Sequence, residues 1–428
     1  MFSERITETT RRRFLQLSAA GVGAASMSGW LEVLAHRASA AAPAPSGKAK
    51  SCILMWMDGG PSHKDTFDLK PGSKGDGDFK PIATSAPGIE ISEHLPKIAK
   101  VMHHGAVVRG MSTPEGAHPR AKYNLHTGYR EGQGGLVYPS IGSIVACEVG
   151  KPEASVPAFI SIGSRSHGSG FIGPKYQPLL VQDPARGVED LKAIVSDKQF
   201  ENRINLLQDM EKAFQGEYRA GTITDHKTTY ERAVKLMHSK ESKAFDLSQE
   251  AATSRAKYGS GKFSDGVLMA RRLVEVGVPF VEVNLGGWDT HQDNFDRVKS
   301  LSGQIDSPIA ALIEDLKERG LLDSTLVIWM GEFGRTPAIN IRGAKPGRDH
   351  YPRAWSLAMW GGGLKGGRTI GKTDAEGAAV VDQKVGTPDF LATVCELMGV
   401  DHTKKNETPT GRPVQIVDKP KPFTSLVV

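Results

Sequence analysis

Cys52-Ile53-Leu54-Met55-Trp56-Met57 is an unbroken apolar run that stops at Asp58-Gly59-Gly60. It is too short for a buried helix and lacks the alternation that would leave one face to solvent. Such a run, closed by an acid and two glycines, predicts a strand covered on both faces. The pattern returns along the chain. Ala106-Val107-Val108 ends near Gly110, and Ala158–Ile162, Phe280–Leu285, Leu326–Met330 and Leu357–Trp360 follow. All are read as buried parallel strands.

Helical patterns lie between them. Leu301, Ile305, Ile309, Leu312, Ile313 and Leu316 recur at three- and four-residue spacing, an amphipathic stripe just before the Leu326 strand. Phe390–Met398 repeats this, with Thr387-Pro388-Asp389 as its start. Alternation of this kind predicts an α/β fold, a three-layer α/β/α sandwich with a mainly parallel central sheet. Residues 198–257 are charged and mostly helical in pattern, and are read as a helical insertion in a domain spanning 51–428.

Composition narrows the function. The 428 residues are 24% charged and 39% hydrophobic, ordinary for a folded protein with a sizeable core. The net charge of +6 is mild, and no basic stripe carries interleaved aromatics, so nucleic acid is not an expected partner. No run of 18 apolar residues follows the first fifty, so no membrane span is expected in the mature protein. Cys52, Cys147 and Cys395 are widely spaced without a CxxC, which excludes a thiolate zinc cage and leaves buried free thiols.

The first forty residues read as an address. Thr10-Arg11-Arg12-Arg13-Phe14-Leu15-Gln16 resembles the twin-arginine export motif, and an Ala- and Gly-diluted apolar stretch runs from Leu17 to Leu34. Ala38-Ser39-Ala40 then supplies a small-x-small cleavage site, and a Pro/Ala linker covers residues 41–50. Charged, apolar and small-residue regions in that order mark a removable signal. The expected partner is the twin-arginine export machinery, and the expected location is periplasmic or secreted, in a bacterium.

Ligands of open α/β sheets gather at the carboxyl ends of the strands. Five segments there carry metal-type or acid–base side chains: Asp58–His63, Ser112–His118, Gly287–His291, Gly331–Arg335 and Arg348–Tyr351. Asp58, Asp289, His291, Glu332 and His350 would supply carboxylate oxygen and imidazole nitrogen to a divalent cation if the strands are adjacent. Arg335 would suit an anionic substrate group. Each segment also has a plain reading. Asp58 before two glycines is a common turn residue, Asp289 is a possible helix cap, and Asp349-His350 is a polar turn. Glu332 resists one, because a buried carboxylate needs a partner.

Together these segments resemble the twin-arginine-exported family called domain of unknown function 1501, placed in the alkaline phosphatase and sulfatase superfamily. The resemblance is carried by Met57–His63, His126-Thr127-Gly128, Ala270–Val278, Gly287–His291, Trp329–Pro337 and Gly347–Pro352, and it covers nearly all of residues 50–402. It implies an alkaline phosphatase-like fold and one or two divalent ions, with Zn, Mn, Ca and Mg not distinguished. Asp58 would be the first-strand metal ligand. Glu332 would replace the usual Asp, with Phe333 where His is expected. Asp289 and His291 resemble a second ligand pair, and His350 the late closing His.

The match departs at the nucleophile. In sulfatases a Cys or Ser lies nine residues before a Thr-Gly pair, and here that position is His118. Ser112 and Thr113 lie close by. A metal-bound hydroxyl becomes a usable nucleophile, whereas His118 would serve as ligand, general acid or covalent acceptor. The resemblance implies an exported metal-dependent hydrolase of phosphate or sulfate esters, acting on an anionic small molecule or a sulfated or phosphorylated glycan. The alternative is an inactive metal-bearing binding or scaffold protein of the cell envelope.

Overall fold

The computed structural model describes residues 49–191, 193–217 and 221–423. The export signal expected over residues 1–40, and the linker as far as residue 48, lie outside them.

Eight strands form the main sheet: β1 Ser51–Met57, β2 Gly105–Met111, β3 Phe159–Ile162, β4 Leu179–Val181, β5 Phe280–Leu285, β6 Thr325–Met330, β7 Trp355–Gly361 and β8 Arg368–Ile370. Their spatial order is β8-β2-β7-β6-β1-β5-β3-β4. β1 lies between β6 and β5 and is parallel to both. β7 is antiparallel to β6 and to β2. The remaining pairs are parallel. The run at Leu357–Trp360, read as a parallel strand, is therefore corrected. All seven residues of β7 are buried. An apolar run reports coverage on both faces and is silent about direction.

Residues of β1 alternate between two apolar clusters because successive side chains of a strand point to opposite faces. Ile53, Met55 and Met57 pack with Val267, Leu273, Ile305, Ile309 and Leu312. Cys52, Leu54 and Trp56 pack with Leu125, Ile144, Val145, Leu391 and Val394. Helices α1 His118–Thr127, α2 Ile141–Glu148 and α7 Thr387–Leu397 cover the second face, and α5 Lys262–Glu275 and α6 Asn294–Glu318 cover the first. Every member of the predicted Leu301–Leu316 stripe is buried in α6. In α7 the Asp389 carboxylate accepts from the Gly386 amide at 3.2 Å and caps the helix start. Burying each Leu, Ile or Met of these layers stabilises by about 1.5–3 kcal/mol. Between α2 and α5 the chain forms α3 Asp197–Glu217 and α4 Gly221–Met237.

The three cysteines are free thiols, two of them buried. Burial pushes the Cys52 and Cys395 thiols up, so neither is a usable nucleophile.

Strand direction places the site. The carboxyl ends of β1, β5 and β6 share one edge, and β7, running the other way, begins there. Asp58, Asp289 and Glu332 follow the first three strands, and His350 precedes the fourth. The His350 segment is pinned by Arg348. Its guanidinium, fully buried, donates to Asp65 at 2.8 and 3.1 Å and to the carbonyls of Gly75, Thr336 and Pro337. Arg348 is thus structural and has no open face for a substrate anion. Arg348→Ala leaves the Asp65 carboxylate buried without a counter-charge, with the Asn294 amide donating to it. We expect a loss of about 3–5 kcal/mol, read from the midpoint of urea denaturation.

Candidate metal centre

Helix α1 begins at His118, with Pro119 in its first turn, where a missing amide hydrogen costs no helical bond. This places the His118 ring over the ends of β1 and β6. Its Nδ1 is 2.5 Å from Glu332 Oε1. His291 Nδ1 is 2.9 Å from Asp349 Oδ1, and His350 Nδ1 is 2.8 Å from the Gly116 carbonyl. Carboxylates and carbonyls accept, so each Nδ1 donates, and in the neutral ring each Nε2 keeps a lone pair.

Those three Nε2 atoms converge on one oxygen. Asp289 Oδ1 lies 3.4 Å from His118 Nε2, 3.2 Å from His291 Nε2 and 3.3 Å from His350 Nε2. His291 Nε2 and His350 Nε2 are 2.9 Å apart. Lone pairs so placed repel unless a proton or cation sits among them. His118 Nε2 is shut off from solvent without a hydrogen-bond partner. The donor atoms of His118, Asp289 and His350 all lie within 4.8 Å of one another, as a metal ion requires. Imidazoles anchored at Nδ1 with Nε2 aimed inward are the usual arrangement of metal-ligating histidines. The residues present therefore fit a divalent cation.

Electrostatics follow the geometry. The Glu332 hydrogen bond raises the proton affinity of His118 despite its burial. Burial lowers that of His350. Burial also pushes the Asp289 carboxyl up, but the Arg335 hydrogen bond and charge, with His118 and His291, outweigh it and hold it at about 2. The His291 hydrogen bond lowers Asp349, helped by Arg342.

Arg335 is wholly buried. It donates to Gly60 O at 2.9 Å, to Gly59 O, to Arg348 O at 3.3 Å and to Asp289 Oδ1 at 2.7 Å. Read from sequence as a fork for substrate, it is a strut that holds Asp289. Glu332 is also wholly buried; it stands behind His118 and accepts from the Gly59 amide at 3.1 and 3.2 Å. Asp58 is outside the converging group, and its Oδ1 meets the Lys122 ammonium. Thr113 Oγ1 is buried without a hydrogen-bond partner, and Ser112 is half-buried, both in the loop leading into His118. Arg120 is exposed and pairs with Glu115.

Lys122 and Glu282 were passed over in the sequence. One face of α1 presents His118, Lys122 and His126, four residues apart, and this spacing was the available signal. Glu282 hid in the apolar run of β5. It is buried and meets His126 Nε2 at 3.3 Å, with Ser166 Oγ donating at 2.5 Å. Burial works against the charged form of His126, but Glu282 outweighs it and raises the His126 proton affinity. His167, 4.8 Å from His126 between ring centroids, is pushed down to about 4 by burial and by the His126 charge. A separate cavity of about 280 Å³, lined by Cys147, Lys151, Tyr176, Arg232 and Lys235, includes none of these site residues.

Fold and site together define an α/β/α sandwich protein with a histidine–aspartate cluster at the carboxyl edge of its sheet. The chain belongs to the family described as "Protein of unknown function (DUF1501)", whose profile matches residues 49–427. No curated protein sequence matches it. Similar solved structures include the PsFucS1 sulfatase from Pseudoalteromonas sp., at 11% identity and TM-score 0.40, over 88% of this chain and 72% of that one. The lipoteichoic acid synthase LtaP from Listeria monocytogenes is 9% identical with TM-score 0.37, over 87% and 76%. The alkaline phosphatase from the Antarctic bacterium TAB5 is 13% identical with TM-score 0.35, over 82% and 98%.

Two outcomes test this arrangement. Gly59 has φ +117°, and a Cβ on it would stand 2.3 Å from the Asp289 amide nitrogen. Gly59→Ala should cost about 1–3 kcal/mol in urea denaturation. His167 binds its proton less readily folded than unfolded, so its share of stability is full above its ordinary 6.5 and is lost as the pH falls towards 4. His167→Gln should make the decline of the urea midpoint across that window shallower.

Proposed function

We propose that the chain is an exported, metal-dependent hydrolase of phosphate or sulfate esters. The observation that carries this reading is the convergence of three Nδ1-anchored imidazoles on Asp289 Oδ1. His118, Asp289 and His350 hold the ion, and His291 completes the set. A donor set this rich in nitrogen suits zinc or another transition ion better than calcium or magnesium, which take oxygen ligands. Such an ion would polarise the ester oxygens and lower the pKa of an oxygen nucleophile.

The chain's own residues do the rest. Glu332 orients His118, Asp349 orients His291, and Arg335 keeps Asp289 ionised and aimed inward. His118 and His350, engaged at Nδ1 and directed to the ion at Nε2, act as ligands and not as the acid that protonates the leaving group. Ser112 and Thr113 supply the hydroxyls closest in sequence to His118. Lys122, four residues after His118 on the same helix, supplies a cation on Asp58 for an anionic substrate group, on a small molecule or a glycan. Export rests on the Arg11-Arg12-Arg13 motif, the apolar stretch and Ala38-Ser39-Ala40, which support a periplasmic or extracellular location. No helix among the described residues is long and apolar enough to cross a membrane.

A second reading, a metal-bearing binding or scaffold protein without turnover, is favoured by Phe333. Its buried ring packs 4.9 Å from His118 and 4.7 Å from His350 between centroids, where the superfamily pattern has an ionisable side chain.

Plasma mass spectrometry of exported, tag-cleaved protein is the test, beside His118→Ala and Asp289→Ala. We expect a stoichiometric divalent ion, with affinity reduced at least tenfold in each variant. Hydrolysis of p-nitrophenyl phosphate or p-nitrophenyl sulfate should fall in parallel. Metal without turnover would favour the second reading. No ion after supplementation with Zn, Mn, Ca and Mg would sink both.

A further inference from the structure

Helix α1 lies across three neighbouring strands. Its inward residues His118, Lys122 and His126 meet, in turn, Glu332 beyond β6, Asp58 beyond β1 and Glu282 within β5. Strands β6, β1 and β5 are adjacent in that order. A four-residue step along the helix thus corresponds to one strand across the sheet. Each step pairs one basic side chain with one carboxylate. The first pair belongs to the metal centre, and the third is a buried imidazole–carboxylate pair. The middle pair is half-exposed and belongs to neither.

Asp58 is the residue for which the sequence suggested a metal. Its Oδ1 is shut off from solvent and has no other polar partner among the described residues. The Lys122 ammonium is already there. An ammonium is a compact point charge with three donors, and it can neutralise a carboxylate in the place of a metal ion. A divalent cation bound to Asp58 would have to displace it or accept a like charge in contact. Asp289 is paired with a cation too, but there Arg335 is also bonded to three carbonyls, and the His118 and His350 nitrogens add donor atoms that Asp58 lacks.

We infer that Lys122 is a built-in second cation, held on Asp58, and that the centre therefore takes one metal ion per chain. The inference rests on the metal-centre reading and deepens it. Asp58 is then a positioning residue that holds the Lys122 charge one helical turn from His118, and the site offers an anionic ester one metal ion and one ammonium.

Counting ions tests this apart from any activity. Full-length mature protein is dialysed to equilibrium against Zn2+, and bound metal is measured by plasma mass spectrometry. One ion is expected in the wild type and in Lys122→Arg. Lys122→Met, which keeps the length and removes the charge, should bind two. Asp58→Asn added to Lys122→Met should return the count to one. Two ions in the wild type would overturn the inference while leaving the hydrolase reading intact. So would one ion in a Lys122→Met protein with wild-type circular dichroism. No ion in the wild type would remove the metal centre and the inference together. A second measurement needs no variant: wild-type protein loaded with Mn2+ should give the six-line spectrum of isolated ions in electron paramagnetic resonance. An exchange-coupled pair would overturn the inference.

Discussion

The buried guanidinium of Arg335 is the constraint on which the rest of the site depends. Its donors reach Gly59 and Gly60 after β1, Asp289 after β5, and Arg348 just ahead of His350. One side chain thus fixes the loops that bring the cluster together. Burial alone disfavours its charge, and that cost is offset only because it is both hydrogen-bonded and paired. The same bond that satisfies Arg335 keeps Asp289 ionised.

Around this strut the backbone comes unusually close. The Gly59 amide donates to Glu332, and its Cα faces the Asp289 backbone with no room for a side chain. Glu332 can then stand behind His118 instead of pointing at the centre. The carboxylates at the strand ends divide their labour. Asp289 faces inward, Glu332 and Asp349 each steady an imidazole, and Asp58 is taken by Lys122. Only the direction of β7 allows His350 to arrive at the same edge. A parallel β7 would have begun at the far end of the sheet.

Much of this was legible in the chain. Cys52–Met57 and its counterparts marked the strands because central strands must be apolar on both faces. The Leu301–Leu316 stripe marked α6 because a covering helix needs a single apolar face. Asp289, His291 and His350 stood out as metal-type residues at strand ends, and the structure draws them to one point. Other features had no local signature. Arg335 looked like a substrate fork because a guanidinium's partners here lie up to 276 residues away in sequence. Glu282 lay hidden in an apolar run, and its partner His126 meets it only in the fold. His118 was singled out, but its place among the imidazoles follows from how α1 crosses the sheet.

The sequence by itself determined the layered α/β architecture, the edge at which the chemistry gathers and most of the residue types found there. Those follow from periodicity, from turn residues and from the cost of burying charge, all of which act locally. The tertiary structure alone decided which carboxylate faces which base, the antiparallel course of β7 and the division between side chains that face the cluster and those that support it. Those depend on contacts a few ångströms long between residues hundreds of positions apart. Pairing is set by the packing of helix on sheet, which no local pattern records.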